Sequence, residues 1–313
     1  MSKTNLDADM DAELEEMEKD ENSSGKEDDS DDDMDDDEDK EDPELLKQIE
    51  GYKDELLINP YNYNAHLELV NLLSKTDHFD QLRSARQSFC EFYPLTPELW
   101  IDWINDELKV ASTDEEKQMV EDLFEKGVKD YVSVDLWLEY CQFGIGGIGT
   151  EEGAKKATNI FEKALTSCGR NIARGSLVWE AFREFEVALL SMIPDKNSKA
   201  FNDQKLKIIN LYKRQLRVPL IGMDATMDEL KEFAGDEVDN NIKNDFTKAK
   251  QKLQQRDKFE ASLNTDDEDT SEQYLEYLQF ELKEKDPVMI QQLFERAISS
   301  NCLNDNIWSQ YLK

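Results

Sequence analysis

Two basic runs interrupt an otherwise acidic sequence. From Lys196 to Arg217 the residues Lys196, Lys199, Lys205, Lys207, Lys213, Arg214 and Arg217 stand against Asp203 alone, and from Lys243 to Lys258 the residues Lys248, Lys250, Lys252 and Arg256 stand against Asp245 and Asp257. At helical spacing, Lys207, Arg214 and Arg217 lie away from a core face made by Ile209, Tyr212 and Leu216. A solvated helix face is the plain reading of both runs. The sharper one makes Lys207, Lys213, Arg214, Arg217, Lys248 and Lys252 contacts for RNA phosphate or for an acidic segment of the chain itself. A net charge of −35 does not forbid this, because screening at physiological salt limits the reach of distant charges to about 8 Å.

Catalytic chemistry has little to stand on. His66 and His78 are the only histidines, so no Ser-His-Asp or Cys-His set can be assembled outside one short stretch, and the carboxylates are too numerous for a pair to stand out. Cys90, Cys141, Cys168 and Cys302 are far apart, without the C-x-x-C spacing of a zinc site or a disulfide framework. They read as free thiols. Gly144-Ile145-Gly146-Gly147-Ile148-Gly149 has the letters of a dinucleotide fingerprint, but that loop works only after a strand, and here a helix precedes it. The glycines read as a connector that lets two helices approach closely. The expectation is a protein that is not an enzyme, with no cofactor, no metal and no small-molecule substrate.

The elements that position these residues are helices. Val134–Phe143 carries Trp137, Tyr140 and Phe143 on one face, and Glu151–Leu165 carries Ala157, Ile160, Phe161, Ala164 and Leu165 on another. Neither stripe can be buried by two helices alone, and the chain repeats the unit. Trp137 follows Trp100 by 37 residues, and Phe161 follows Phe124 by 37. Trp179 and Phe182 open a further copy that Tyr212 closes; Tyr274 and Tyr277 open another that Phe294 closes, and Trp308 begins one more. Weaker copies pair Asn64–Leu73 with Leu82–Phe92, and Met223–Phe233 with Ile242–Leu263. The stripes, Trp103 included, read as core rather than as a base-stacking platform.

Residues 1 to 42 hold 22 acids against 4 lysines, and no aromatic residue occurs before Tyr52. Such a segment cannot bury enough apolar surface to offset the entropy of ordering, so 1–42 reads as a disordered acidic arm. A leading helix from Glu44 to Leu57 and the repeats fill 43–313. No apolar run reaches the roughly 20 residues of a membrane span. The fold expected is all-α, a right-handed superhelix or α-solenoid of about seven helical hairpins, cut within its last repeat.

The recurring Trp-x-x-Tyr/Phe/Trp first helix and Phe/Tyr-Glu/Lys-Lys/Arg second helix resemble the half-a-TPR, or HAT, repeat of RNA-processing proteins. Longer strings strengthen the likeness to HAT-repeat spliceosome recycling factors: Tyr93-Pro94-Leu95-Thr96-Pro97-Glu98-Leu99-Trp100, Leu123-Phe124-Glu125-Lys126-Gly127-Val128 and Trp179-Glu180-Ala181-Phe182-Arg183-Glu184-Phe185-Glu186. The resemblance implies a nuclear scaffold that assists U4/U6 snRNP assembly and recycling in pre-mRNA splicing through contacts with splicing and snRNP proteins. In that family U6 RNA is bound mainly by RNA-recognition motifs after the HAT array, and deubiquitinases are recruited by later repeats. Two alternatives stay open: a histone chaperone working through the acidic arm, and a solenoid that binds RNA directly through the basic runs.

Overall fold

The computed structural model describes residues 42–235, 238–265 and 269–313. Among them are fifteen helices and no strand. In chain order these are α1 (Pro43–Ile58), α2 (Tyr63–Leu73), α3 (Phe79–Phe92), α4 (Pro97–Val110), α5 (Asp114–Gly127), α6 (Val134–Ile145), α7 (Glu151–Cys168) and α8 (Gly175–Ser191). There follow α9 (Lys199–Gln215), α10 (Met223–Ala234), α11 (Asn240–Gln254), α12 (Asp257–Leu263), α13 (Ser271–Glu284), α14 (Pro287–Ser300) and α15 (Asp305–Tyr311). None is long and apolar enough to cross a membrane. The chain divides into a unit Met1–Leu46 and a unit Lys47–Lys313. In the first, the described residues are the opening of α1, where Asp42 Oδ1 accepts the N–H of Glu44 at 3.0 Å. The expected acidic arm otherwise lies outside the described residues.

Local chemistry sets most helix starts in the second unit. Thr96 caps α4 ahead of Pro97, where the missing N–H costs little. Thr113 and Glu116 form a reciprocal capping box on α5. Ser133, Thr150 and Ser198 cap α6, α7 and α9. Consecutive helices then pack as pairs, α2 on α3, α4 on α5, α6 on α7, α8 on α9 and α13 on α14, and neighbouring pairs stack in turn. The second unit is an all-α solenoid.

Four of the junctions are built on one recurring contact. The phenylalanine of a second helix stacks on the aromatic residue of the next repeat's first helix: Phe124 on Tyr140, Phe161 on Phe182 and Phe259 on Tyr277, each at 4.8 Å, and Phe294 on Tyr311 at 4.9 Å. Where that partner is tyrosine, its hydroxyl donates to the glutamate after the phenylalanine. Tyr140 reaches Glu125 at 2.8 Å, Tyr277 reaches Glu260 at 3.1 Å, and Tyr311 reaches Glu295. Burial first, and the carboxylate second, push all three phenols up, Tyr311 to about 12, so they remain donors.

The stripe residues Trp100, Trp103, Phe124, Trp137, Tyr140, Phe161, Trp179, Phe182, Tyr212, Tyr274, Tyr277 and Phe294 are buried. Trp308 departs from the expectation at 37% exposed. Its helix α15 packs on α14, no later helix among the described residues covers its other side, and its indole N–H is satisfied by the carbonyl of Cys302 at 2.8 Å. Ile242–Leu263 is likewise not one helix. It breaks between α11 and α12, where Arg256 turns inward and gives Nε and Nη2 to Glu281 at 2.6 and 2.8 Å. Tyr212 on α9 and Leu216 just after it are buried as expected; Ile208, Leu211 and Gln215 are buried with them, and Ile209 is half-buried against the same core.

The glycine-rich connector joins α6 to α7 as a close approach of helices. Gly144 is inside α6, where a methyl group would meet Ile160 Cδ1 at 2.8 Å, and a methyl on Gly153 would fall 1.8 Å from the carbonyl oxygen of Gly147.

Candidate functional site

The second half of α9 and the turn after it carry the first set of basic candidates. Lys207, expected to face solvent, is 41% exposed and lies 2.6 Å from Glu186 Oε1, a carboxylate with no exposed surface. A buried charge of that kind requires a partner, which engages Lys207 internally. Arg214 gives Nη1 and Nη2 to Glu162, both at 2.7 Å, and its guanidinium sits 5.2 Å from the Trp179 ring centre. The hydrogen bonds to Glu162 raise the Arg214 pKa above its usual value, so its charge is fixed. Arg217 gives only Nε to Asp245, at 2.8 Å. Its two terminal nitrogens have no partner among the described residues.

Arg214 and Arg217 open onto a cleft of about 500 Å³. Lys252 from the end of α11, Arg256 ahead of α12 and Arg170 after α7 complete a ring of five cations, against Asp286 in the lining. Leu165, Val218, Pro219 and Met289 supply an apolar floor with Trp179, whose indole N–H is held by the carbonyl of Gly169 at 2.8 Å. Arg256 is neutralised by Glu281, and its Nη1 donates to the carbonyl of Lys252 at 2.7 Å, which ties the end of α11 to the cleft wall. The side chains of Arg170 and Lys252 make no hydrogen bond or ion pair among the described residues.

Of the six expected contacts, the structure thus brings together Arg214, Arg217 and Lys252. Lys207, Lys213 and Lys248 stand outside this cleft. Arg170, isolated behind Gly169, carried no sequence signal, and Arg256 belonged to the second run without being separable from its neighbours. The arrangement suits binding of an anionic group, since Arg forks match carboxylate or phosphate oxygens. Among the described residues no group of three or more His, Cys, Asp or Glu gathers to hold a metal. All four cysteines are free; burial pushes the Cys168 thiol up to about 12, and the Cys141 thiol is pushed up by burial as well.

Residues 50–232 match the family described as the PRP39 N-terminal HAT repeat. The chain belongs to the PRP39 N-terminal HAT repeat family. The Phe124–Tyr140 and Phe161–Phe182 stacks lie within the matched residues, whereas Lys252, Arg256 and Asp286 of the cleft fall beyond them. Two relatives, each named spliceosome associated factor 3, U4/U6 recycling protein, from Pongo abelii and Homo sapiens, are 38% identical over 84% of this chain and 26% of their own length. The mRNA 3′-end-processing protein rna14 of Schizosaccharomyces pombe is 26% identical over 58% of this chain and 24% of its own. This HAT-repeat chain therefore spans about a quarter of the length of the recycling proteins it matches.

Proposed function

We propose that the chain is a non-enzymatic HAT-repeat scaffold of nuclear RNA processing that assists U4/U6 snRNP assembly and recycling through protein contacts. The observation that carries this reading is its 38% identity to two U4/U6 recycling proteins across 84% of the chain. The solenoid supports it as well: stacked hairpins present an extended surface, and binding by such a surface needs no catalytic constellation. Splicing and snRNP proteins are the partners proposed. The internal pairing of Lys207 and Arg214 argues against a continuous track for direct RNA binding.

The test is immunopurification of the full chain from nuclear extract, with U4/U6 snRNP proteins and U6 RNA quantified in the eluate. Enrichment of the snRNP proteins, persisting after ribonuclease treatment, is the expected result. Enrichment of U6 RNA that disappears along with all protein partners after ribonuclease would replace the protein scaffold with an RNA-binding solenoid. Recovery of histones without snRNP components would favour the chaperone alternative.

A further inference from the structure

We propose that the basic cleft between α7, α9, α11 and α14 is a docking site for a short acidic segment of a partner protein, one that carries an apolar side chain between its carboxylates. This rests on the reading of the array as a protein-binding scaffold and locates one of its contacts.

Three observations lead there. The cleft holds charge that the fold does not use: among the described residues the side chains of Arg170 and Lys252 are unpaired and both terminal nitrogens of Arg217 are without a partner. Arg214 and Arg256, by contrast, are neutralised by Glu162 and Glu281 and act as walls. Second, the space between these cations is floored by Leu165, Pro219 and Met289, with Val288 38% exposed at the rim. A volume of about 500 Å³ holds a few side chains, within the roughly 300–1,000 Å³ of binding pockets generally. Third, the five cations share the lining of one cleft with apolar side chains.

The last point separates peptide from nucleic acid. RNA affinity is built from several phosphate contacts along a groove and from bases stacked on exposed rings. Here the aromatic lining residue, Trp179, is buried beneath Arg214, and Glu162, Asp245 and Asp286 flank the cations. A polyanion leaving the cleft would meet those carboxylates. A short acidic segment ends before them, gives its carboxylates to Arg170, Lys252 and Arg217, and places its apolar side chain on the floor.

The experiment uses the full chain and a fluorescein-labelled peptide in which Asp and Glu flank a central Leu-Val pair, read by fluorescence anisotropy across a salt titration. Binding that weakens with salt is expected. Arg170→Glu and Lys252→Glu should each weaken it about tenfold. Neither substitution breaks an internal pair, so circular dichroism should be unchanged. Lys248→Glu makes the same charge change on α11 outside the cleft and should leave affinity within about twofold. The proposal is overturned if the wild type does not bind the peptide, or if Lys248→Glu weakens binding as much as Lys252→Glu. It is also overturned if oligouridylate binds more tightly than the peptide and is lost in the same variants. Failure of the peptide while the full chain still retains snRNP proteins removes this site alone, whereas loss of those proteins from the wild type removes the scaffold reading.

Discussion

Arg256 and Glu281 are 2% and 1% exposed and joined by two hydrogen bonds. Removing one partner leaves an uncompensated buried charge, so Glu281→Ala should cost about 3–5 kcal/mol in urea unfolding. The double variant Arg256→Met, Glu281→Leu should recover most of that loss, because two apolar side chains leave no charge to solvate. A single variant as stable as the wild type would contradict the pairing. Glu116 makes the opposite case, a half-buried surface carboxylate whose pKa is held at about 2 by the backbone N–H of Thr113, then by the N–H and hydroxyl of Ser112. A depressed carboxylate stabilises the fold above its unfolded value of 4.5, and that stability is lost as pH falls through the folded value. The urea midpoint of the wild type should therefore drop more than that of Glu116→Gln between pH 4.5 and about 2. Parallel acid limbs would show that the capping box contributes no pH dependence.

At the level of helices, Gly153 separates two physical effects. Intrinsic propensity favours alanine over glycine in a helix by about 1 kcal/mol, so propensity alone makes Gly153→Ala stabilising. The new methyl group would lie 1.8 Å from the Gly147 carbonyl oxygen, a backbone atom that cannot rotate aside. Sterics should win, lowering stability by about 1–3 kcal/mol, read as a fall in the thermal midpoint. A rise would mean the connector moves freely. The glycine-rich connector was legible in the sequence because a glycine acts within a few positions of itself. The break between α11 and α12 was not, since no Gly or Pro marks it and its cause, Glu281, lies 25 residues away. The recurring Phe-Glu pair was visible, but the tyrosine that clasps it belongs to the next repeat. Arg170 reaches the cleft only through packing of α7 against distant helices, so three of the five cleft cations were legible and the other two depended on tertiary packing.

A solenoid in which each repeat touches only its neighbours confines damage to the site of a mutation and the repeats beside it. The end of α7 and the loop after it depart from that rule. The carbonyl of Ile172 accepts the N–H of Ile221 at 3.0 Å, and the carbonyl of Ser167 accepts Nε2 of Gln292 at 2.5 Å, 125 residues away. Ile172 itself is buried in one core with Phe259, Tyr277, Leu293 and Phe294. This loop couples α7 directly to the α13–α14 pair. Ile172→Ala should accordingly cost about 2–5 kcal/mol, and amide exchange should quicken in α13 and α14 as well as at the ends of α7 and α8. Nearest-neighbour stacking predicts the opposite pattern, with protection lost in α7 and α8 and retained beyond α12. The same coupling bears on the cleft, because Arg170 lies in this loop and Asp286 caps α14. Loosening the loop should therefore weaken anion binding as well, even though Ile172 does not line the cleft.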